Sequence, residues 1–436
     1  MKNIPANLLT RLANEHATPL WVYDAPTIRD RIKQLGAFDV IRYAQKACSN
    51  IHILSLMREA GVHVDAVSLG EIERAQRAGF STARMASGAA GIVYTADILD
   101  RSTLRHVVKD KVEVNAGSTD MLHQLGEMSP GHRVWLRINP GFGHGHSKKT
   151  NTGGESSKHG IWHDELRQAV ELVRRYHLHL VGLHLHIGSG VDYRHLQQVC
   201  HAMTGLLRDL DHDLEAISAG GGLSVPYRED EKAVDTAHYF ELWDKVRKEA
   251  ENRFGHAVRL EIEPGRFLVA EAGLLLAEVR ATKQMGRNHF TLCDAGFNDL
   301  MRPALYGSYH EISVLPRDGR CFSSSSLRPT VIAGPLCESG DVLTQGADSV
   351  VETRNLPPAQ VGDFLVFHNA GAYGASMSSN YNSRMHAAEY LFDGAASRLI
   401  RRRQTINDLC EAEFIPERTA GVAEAARKLC EGMPRC

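Results

Sequence analysis

The sequence predicts an α/β protein, a parallel (β/α)8 barrel followed by a mainly β domain. Three observations carry that expectation. Short apolar runs suited to strands fall at 39–45, 63–68, 92–95, 112–115, 133–138, 180–186, 214–219 and 258–262, which makes eight. Between most of them lie helix-like stretches, such as 50–60, 68–78, 164–176 and 236–253, with apolar residues three and four apart. A parallel crossover needs about a dozen residues or more, so this alternation implies parallel pairing. Finally, Lys46, Asp65, Arg137, His186, the Gly220-Gly221-Gly222 run and Glu263 each close a separate run. Residues so scattered converge when the runs are barrel strands, whose C-terminal ends gather on one face. An open doubly wound sheet is the competing arrangement.

The elements follow in chain order. The apolar run 20–23 precedes the first barrel strand and is a candidate to pair with the β domain instead. The barrel is expected over 25–275. Beyond it the period changes: 274–279, 290–292, 331–333, 342–344, 350–352, 363–367 and 399–403 are short β-type runs separated by Gly, Pro, Asn and Ser. They place a β domain at 276–414, with 1–24 packing on it. Residues 415–436, rich in Ala and Glu, read as a helical or frayed tail, and 81–91 as an irregular stretch before the third strand.

Composition excludes some classes of function. Lys and Arg number 50 against 52 Asp and Glu, a net charge of −2, so no global field draws the chain to nucleic acid or an anionic membrane. No apolar segment is long enough to span a bilayer, and residues 1–10 lack the apolar core of a signal peptide, which together point to the cytoplasm. The eight cysteines include no CxxC pair, arguing against disulfides or a zinc knuckle, and most are expected as small buried hydrophobes.

The chemistry-bearing residues form a pattern. Tyr43-Ala44-Gln45-Lys46-Ala47 puts a lysine at a strand end, where partial desolvation favours the neutral amine that forms a Schiff base. A solvated strand-end charge is the bland alternative. Glu261-Ile262-Glu263-Pro264-Gly265-Arg266 supplies a carboxylate, a turn and a cation, suited to a protonated ring nitrogen and an anionic group. The three glycines offer backbone N–H groups to a phosphate, in the late barrel loops where phosphates commonly bind. His184 and His186 lie on one strand face. No carboxylate or cysteine stands beside them at ligand spacing, so no metal is expected, and a stacking imidazole followed by a phosphate-binding Ser189 suits the residues better. His144 and His146 fall in a polar loop, 143–157.

Six motifs, Tyr43–Ala47, His184–Gly190, Gly220–Gly222, Glu263–Arg266, Cys337-Glu338-Ser339-Gly340-Asp341 and Gly371-Ala372-Tyr373-Gly374, occur in an order that resembles the fold-type III pyridoxal-phosphate decarboxylases, from about Pro19 to about Asp408. The family fold is a cofactor-binding barrel followed by a β domain. The resemblance implies that Lys46 carries pyridoxal 5′-phosphate, with Asp65 close by and Arg137 beneath the ring. Glu263 would keep the pyridine nitrogen protonated. His186 would stack on the ring, while Ser189, Gly222, Gly265, Arg266 and Tyr373 would position phosphate and pyridine.

Further roles follow from the same resemblance. Cys337 would return a proton to the α-carbon, from a loop that reaches the partner's active site in a homodimer with shared sites. Arg266, Arg302, Tyr306 and Tyr373 would bind substrate, with Glu338 on a distal ammonium. Arginine at 302 suits a distal carboxylate, which favours meso-2,6-diaminopimelate as substrate, with L-lysine and CO2 as products. Alternatives are decarboxylation of ornithine, lysine or arginine, a catalytically silent pyridoxal-binding relative, or an amino-acid racemase. Retention of both Lys46 and Cys337 argues against a silent relative, which has no need of either.

Overall fold

A computed structural model describes residues 4–144, 151–189, 193–322 and 326–413. The expected tail at 415–436 and part of the 143–157 loop, including His146, lie outside the described residues. Eight parallel strands close into a barrel: β2 (Val40–Ala44), β3 (His63–Ala66), β4 (Ile92–Ala96), β5 (Glu113–Ala116), β6 (Arg133–Asn139), β8 (His179–Leu185), β9 (Ala216–Ser218) and β10 (Arg259–Ile262). The hydrogen-bonded order is β5-β4-β3-β2-β10-β9-β8-β6, and β5 pairs with β6 to complete the circle. The alternation of strand and helix thus closes into a barrel, and the doubly wound sheet is excluded. A two-residue strand, β7 (Ile161–Trp162), adds to the edge of β6.

Several helices begin at a side-chain cap. Asn50 accepts from His52 N before Ile51–Glu59, Ser68 from Glu71 N before Leu69–Arg77, and Asp235 from His238 N before Thr236–Phe254. Each cap satisfies a backbone donor that the helix leaves open, worth typically about 1 kcal/mol. Residues 81–91 make no strand or helix and close the N-terminal end of the barrel. There the Ala90 carbonyl accepts from buried Arg42, which also pairs with buried Glu261 at 2.7 Å.

The second sheet is mixed, ordered β15-β14-β12-β11-β1-β17-β18, with β16 on β11 and β13 on β16. Its strands are β1 (Leu20–Asp24), β11 (Gly273–Met285), β12 (Asn288–Cys293), β13 (Ile312–Leu315), β14 (Arg328–Ala333), β15 (Arg354–Leu356), β16 (Phe364–Phe367), β17 (Ala388–Phe392) and β18 (Ser397–Arg401). The run 20–23 joins this sheet, antiparallel to β11 and parallel to β17. Two expected strands are absent. Residues 342–344 and 350–352 make only isolated bridges, Ala333 to Val342 and Gln345 to Val351, and Val350 and Val351 are exposed. Three strands outside the expected runs, at 312–315, 354–356 and 388–392, join the sheet.

Candidate active site

The strand ends deliver the site. Lys46 stands on the turn Gln45–Ala47 directly after β2. Asp65 ends β3, Arg137 lies in β6, and His186 follows β8. Gly220–Gly222 follow β9, and Glu263 follows β10. The β domain contributes Tyr373, whose backbone N–H donates to the Ala47 carbonyl at 2.8 Å, while Ser376 Oγ donates to the same oxygen at 3.1 Å. The turn that carries Lys46 is therefore fastened to the second sheet. Lys46, Asp65, Arg137, His186, Ser189, Gly222, Glu263, Gly265, Arg266 and Tyr373 line one small cavity, together with Thr95, His184 and Gly221.

Glu263 is the best-held charge in it. His184 Nε2 lies 2.7 Å from one carboxylate oxygen, and Ser218 Oγ donates to the other at 3.3 Å. Burial alone would raise its pKa, but His184, Arg42 and Arg137 outweigh burial and hold it below the usual carboxylate range. Asp65 goes the other way: burial first, then the charge of Glu263, push it up to about 7. Burial, with Arg137 and Lys46 nearby, drives His186 well below its ordinary value, so the ring is neutral. Arg266 spans Ser189 Oγ, at 3.2 and 2.9 Å from Nε and Nη2, and the Tyr227 hydroxyl at 2.8 Å from Nη1.

A pH dependence follows from Asp65. Its folded pKa lies above the unfolded value, so it stabilises the cofactor-free fold at low pH, and that contribution is lost as pH rises from about 4 through about 7. Asp65→Asn, which never ionises, is expected to gain thermal midpoint over the wild-type apoprotein as pH rises through that window. A difference in midpoint that stays constant from pH 4 to 8 would place the titration elsewhere.

The residues suit an anionic aromatic cofactor with a ring nitrogen. Gly220 sits at φ +59°, where a Cβ would fall 2.0 Å from the Leu185 carbonyl oxygen, and Gly222 at φ +108°. A Cβ on Gly221 would lie 2.6 Å from the Glu263 carbonyl oxygen. Only glycine fits this strap, which leaves its backbone open to an anion beside Ser189 and the Arg266 cation. His186 Nδ1 and Asp65 Oδ1 are buried without a hydrogen-bond partner among the described residues. A flat neutral ring, a charged carboxylate, an amine and an anion cradle are what pyridoxal phosphate requires.

The remaining predicted residues lie elsewhere. Arg302 begins the short helix Arg302–Tyr306 and is buried, which rules out a surface ion pair. Its guanidinium carbon stands 4.8 Å from the Tyr227 ring centre, and Tyr227 in turn meets Arg266. Tyr306, half-buried, closes that helix. Cys337 and Glu338 are exposed and do not line the cavity of their own chain. The Cys337 N–H donates to Asn382 Oδ1 at 2.9 Å, and Tyr381 OH to Glu338 Oε2 at 3.4 Å.

Two expectations are corrected. Lys46 is exposed at the cavity mouth, so the chain alone does not supply the partial desolvation expected of it. Of the six described cysteines only Cys48, Cys200 and Cys293 are buried, while Cys321, Cys337 and Cys410 are exposed. Sequence reasoning also missed His184 as the partner of Glu263, and Tyr227 and His310 around Arg302. For His184 a signal existed, since it shares a strand face with His186. Among the described residues no group of three or more His, Cys, Asp or Glu could hold a metal, and no helix is long and apolar enough to cross a membrane.

Comparison with known proteins agrees with this chemistry. Residues 27–270 match the family model of the pyridoxal-dependent decarboxylase, pyridoxal binding domain. Diaminopimelate decarboxylase of Escherichia coli K12 is 60% identical over 413 residues, covering 95% of this chain and 98% of that protein. The Streptomyces coelicolor enzyme of the same name is 62% identical over 408 residues, covering 94% and 92%. A crystal structure of a diaminopimelate decarboxylase superposes with a TM-score of 0.90 at 61% identity, covering 94% of this chain and 96% of the other. A second, from Helicobacter pylori and complexed with L-lysine, does so with 0.80 at 29% identity, covering 92% and 98%. With the barrel, the strand-end site and these relatives in agreement, the chain belongs to the diaminopimelate decarboxylase family of pyridoxal-dependent decarboxylases.

Proposed function

We propose that the chain decarboxylates meso-2,6-diaminopimelate to L-lysine and CO2, the last step of lysine biosynthesis, using pyridoxal 5′-phosphate. The observation that carries this reading is the convergence of Lys46, Glu263, His186 and the glycine strap on one cavity in a chain 60% identical to diaminopimelate decarboxylase over nearly its whole length. Lys46 is the attachment point for the cofactor. The bound cofactor supplies an electron sink for the electron pair left when CO2 departs. Glu263, kept ionised by His184 and Arg137, holds a proton on the ring nitrogen, and neutral His186 offers its face to the ring. Ser189, Gly222, Gly265, Arg266 and Tyr373 hold the phosphate end, with Asp65 and Arg137 around the ring.

Arg302, with Arg266, Tyr306 and Tyr373, takes the distal carboxylate, and Glu338 the distal ammonium. Cys337 returns the proton to the α-carbon. An exposed thiol and carboxylate that do not line their own cavity support delivery to a second copy, and hence a homodimer with shared sites. The proposed location is the cytoplasm, with a small-molecule substrate and no nucleic-acid or membrane partner. Side-by-side assays of diaminopimelate, ornithine, lysine and arginine test the substrate. Turnover of a monocarboxylate diamine in preference to diaminopimelate would overturn it.

The role of Arg302 has its own check. Arg302→Met should raise KM for diaminopimelate roughly 10- to 100-fold, the worth of a hydrogen bond to a charged group, while cofactor affinity stays put. Equal loss of both would make Arg302 a structural residue.

A further inference from the structure

We propose that His310 is a positioning residue that aims Arg302 at the distal carboxylate and so sets the preference for a two-headed amino acid. The inference rests on the reading of Arg302 given above. Its tautomer follows from its partners. His310 Nε2 lies 3.1 Å from Arg302 Nη1, and a guanidinium nitrogen only donates, so Nε2 accepts. The other ring nitrogen, Nδ1, lies 2.9 Å from the His368 carbonyl oxygen, which only accepts, so Nδ1 carries the hydrogen. Both nitrogens are committed and the ring is neutral.

The surroundings keep it so. His310 and Arg302 are 2% and 3% exposed. Burial first, and then the Arg302 charge, push His310 down to about 3. The carbonyl that fixes the ring is itself fixed, because the His368 N–H donates to the Glu311 carbonyl at 2.9 Å where β13 and β16 pair at Ile312 and Phe367. The Tyr227 ring closes another side, 5.7 Å from the His310 ring at 84° and 4.8 Å from the Arg302 guanidinium carbon.

A neutral acceptor at this point has a particular value. It fixes one arm of the guanidinium and leaves the positive charge unspent, whereas a carboxylate there would neutralise Arg302 and compete with substrate. Arg302 Nε is buried with no acceptor among the described residues. The arginine therefore keeps donors, in a fork that suits a carboxylate.

Decarboxylation supplies the probes, since loss of CO2 from one end of diaminopimelate leaves L-lysine with the carboxylate of the other end, while cadaverine has neither. The test uses the holoenzyme with His310→Leu, His310→Asn, His310→Gln and Arg302→Met. It measures KM, kcat, inhibition constants for L-lysine and cadaverine, and pyridoxal-phosphate affinity. His310→Leu should raise KM and the lysine constant by about tenfold or more, the cost of a charged donor left without its acceptor. The change in kcat, cadaverine inhibition and cofactor affinity should stay within about twofold to threefold on the same scale.

The amide variants keep the test decisive if His310→Leu does not fold. Asparagine can bond the His368 carbonyl but is too short to accept from Arg302, and should behave like leucine. Glutamine can place its oxygen near the Nε2 position and should recover most of the affinity. An unchanged KM in His310→Leu or His310→Asn, alongside a raised KM in Arg302→Met, would overturn the proposal and spare the reading of Arg302. Parallel loss of lysine and cadaverine binding would overturn it too, as would glutamine no better than asparagine. If Arg302→Met itself leaves KM and lysine inhibition unchanged, the Arg302 reading fails and this proposal falls with it.

Discussion

Lys46→Ala will abolish CO2 release from meso-diaminopimelate and remove the visible absorption of the bound cofactor. Among the described residues Lys46 is the lysine lining the cavity, on a turn fixed by the Tyr373 and Ser376 bonds to the Ala47 carbonyl. No other amine replaces it at the end of β2, and attachment through a side-chain amine is what activates a carbonyl cofactor. Because those anchors are backbone and hydroxyl bonds to Ala47, the substitution should leave the fold and thermal midpoint close to those of the wild-type apoprotein. Borohydride treatment should fix pyridoxyl label to Lys46 in the wild type and to no residue in the variant. Normal turnover in Lys46→Ala would refute the assignment.

Cys337→Ala will cut turnover by roughly 10²–10⁴, the usual contribution of one positioned acid or base, while cofactor still binds. The thiol is exposed on a loop held by Asn382, and Asp341 accepts from the Leu336 and Phe297 backbone N–H groups at 2.7 and 2.8 Å. The loop is thus shaped without the thiol, so alanine should not collapse it. The proposed shared site gives a sharper consequence. Mixing inactive Cys337→Ala with inactive Lys46→Ala should restore activity, because some heterodimers join an intact Lys46 from one chain with an intact Cys337 from the other. If mass measurement confirms subunit exchange and the mixture stays dead, the donor acts within its own chain.

The barrel was legible in the sequence because a parallel strand buried on both faces is a continuous apolar run, and its polar residues stand at its end. Lys46, Asp65, Arg137 and Glu263 announce themselves that way. The β domain was harder to read. Val350 and Val351 are apolar yet exposed, so composition alone suggested a strand that burial does not support. The opposite held for Ala388–Phe392, where Glu389 interrupts the apolar run yet is fully buried. Its partners, Asn50 Nδ2 at 2.8 Å and Arg401 at 2.8 Å, come from elsewhere in the chain. The surroundings of Arg302 were hidden for a related reason. His310, Tyr227 and His368 meet only when β13 and β16 pair and the β9 loop folds over them, contacts that no local pattern encodes.

The most direct test of the whole account is CO2 release from meso-2,6-diaminopimelate by the purified chain, before and after saturation with pyridoxal 5′-phosphate, with L-lysine measured in the same tubes. CO2 and L-lysine should appear in equal amounts, dependent on the cofactor and exceeding release from ornithine, lysine or arginine. A cofactor-loaded, folded protein that releases no CO2 from meso-diaminopimelate would contradict it.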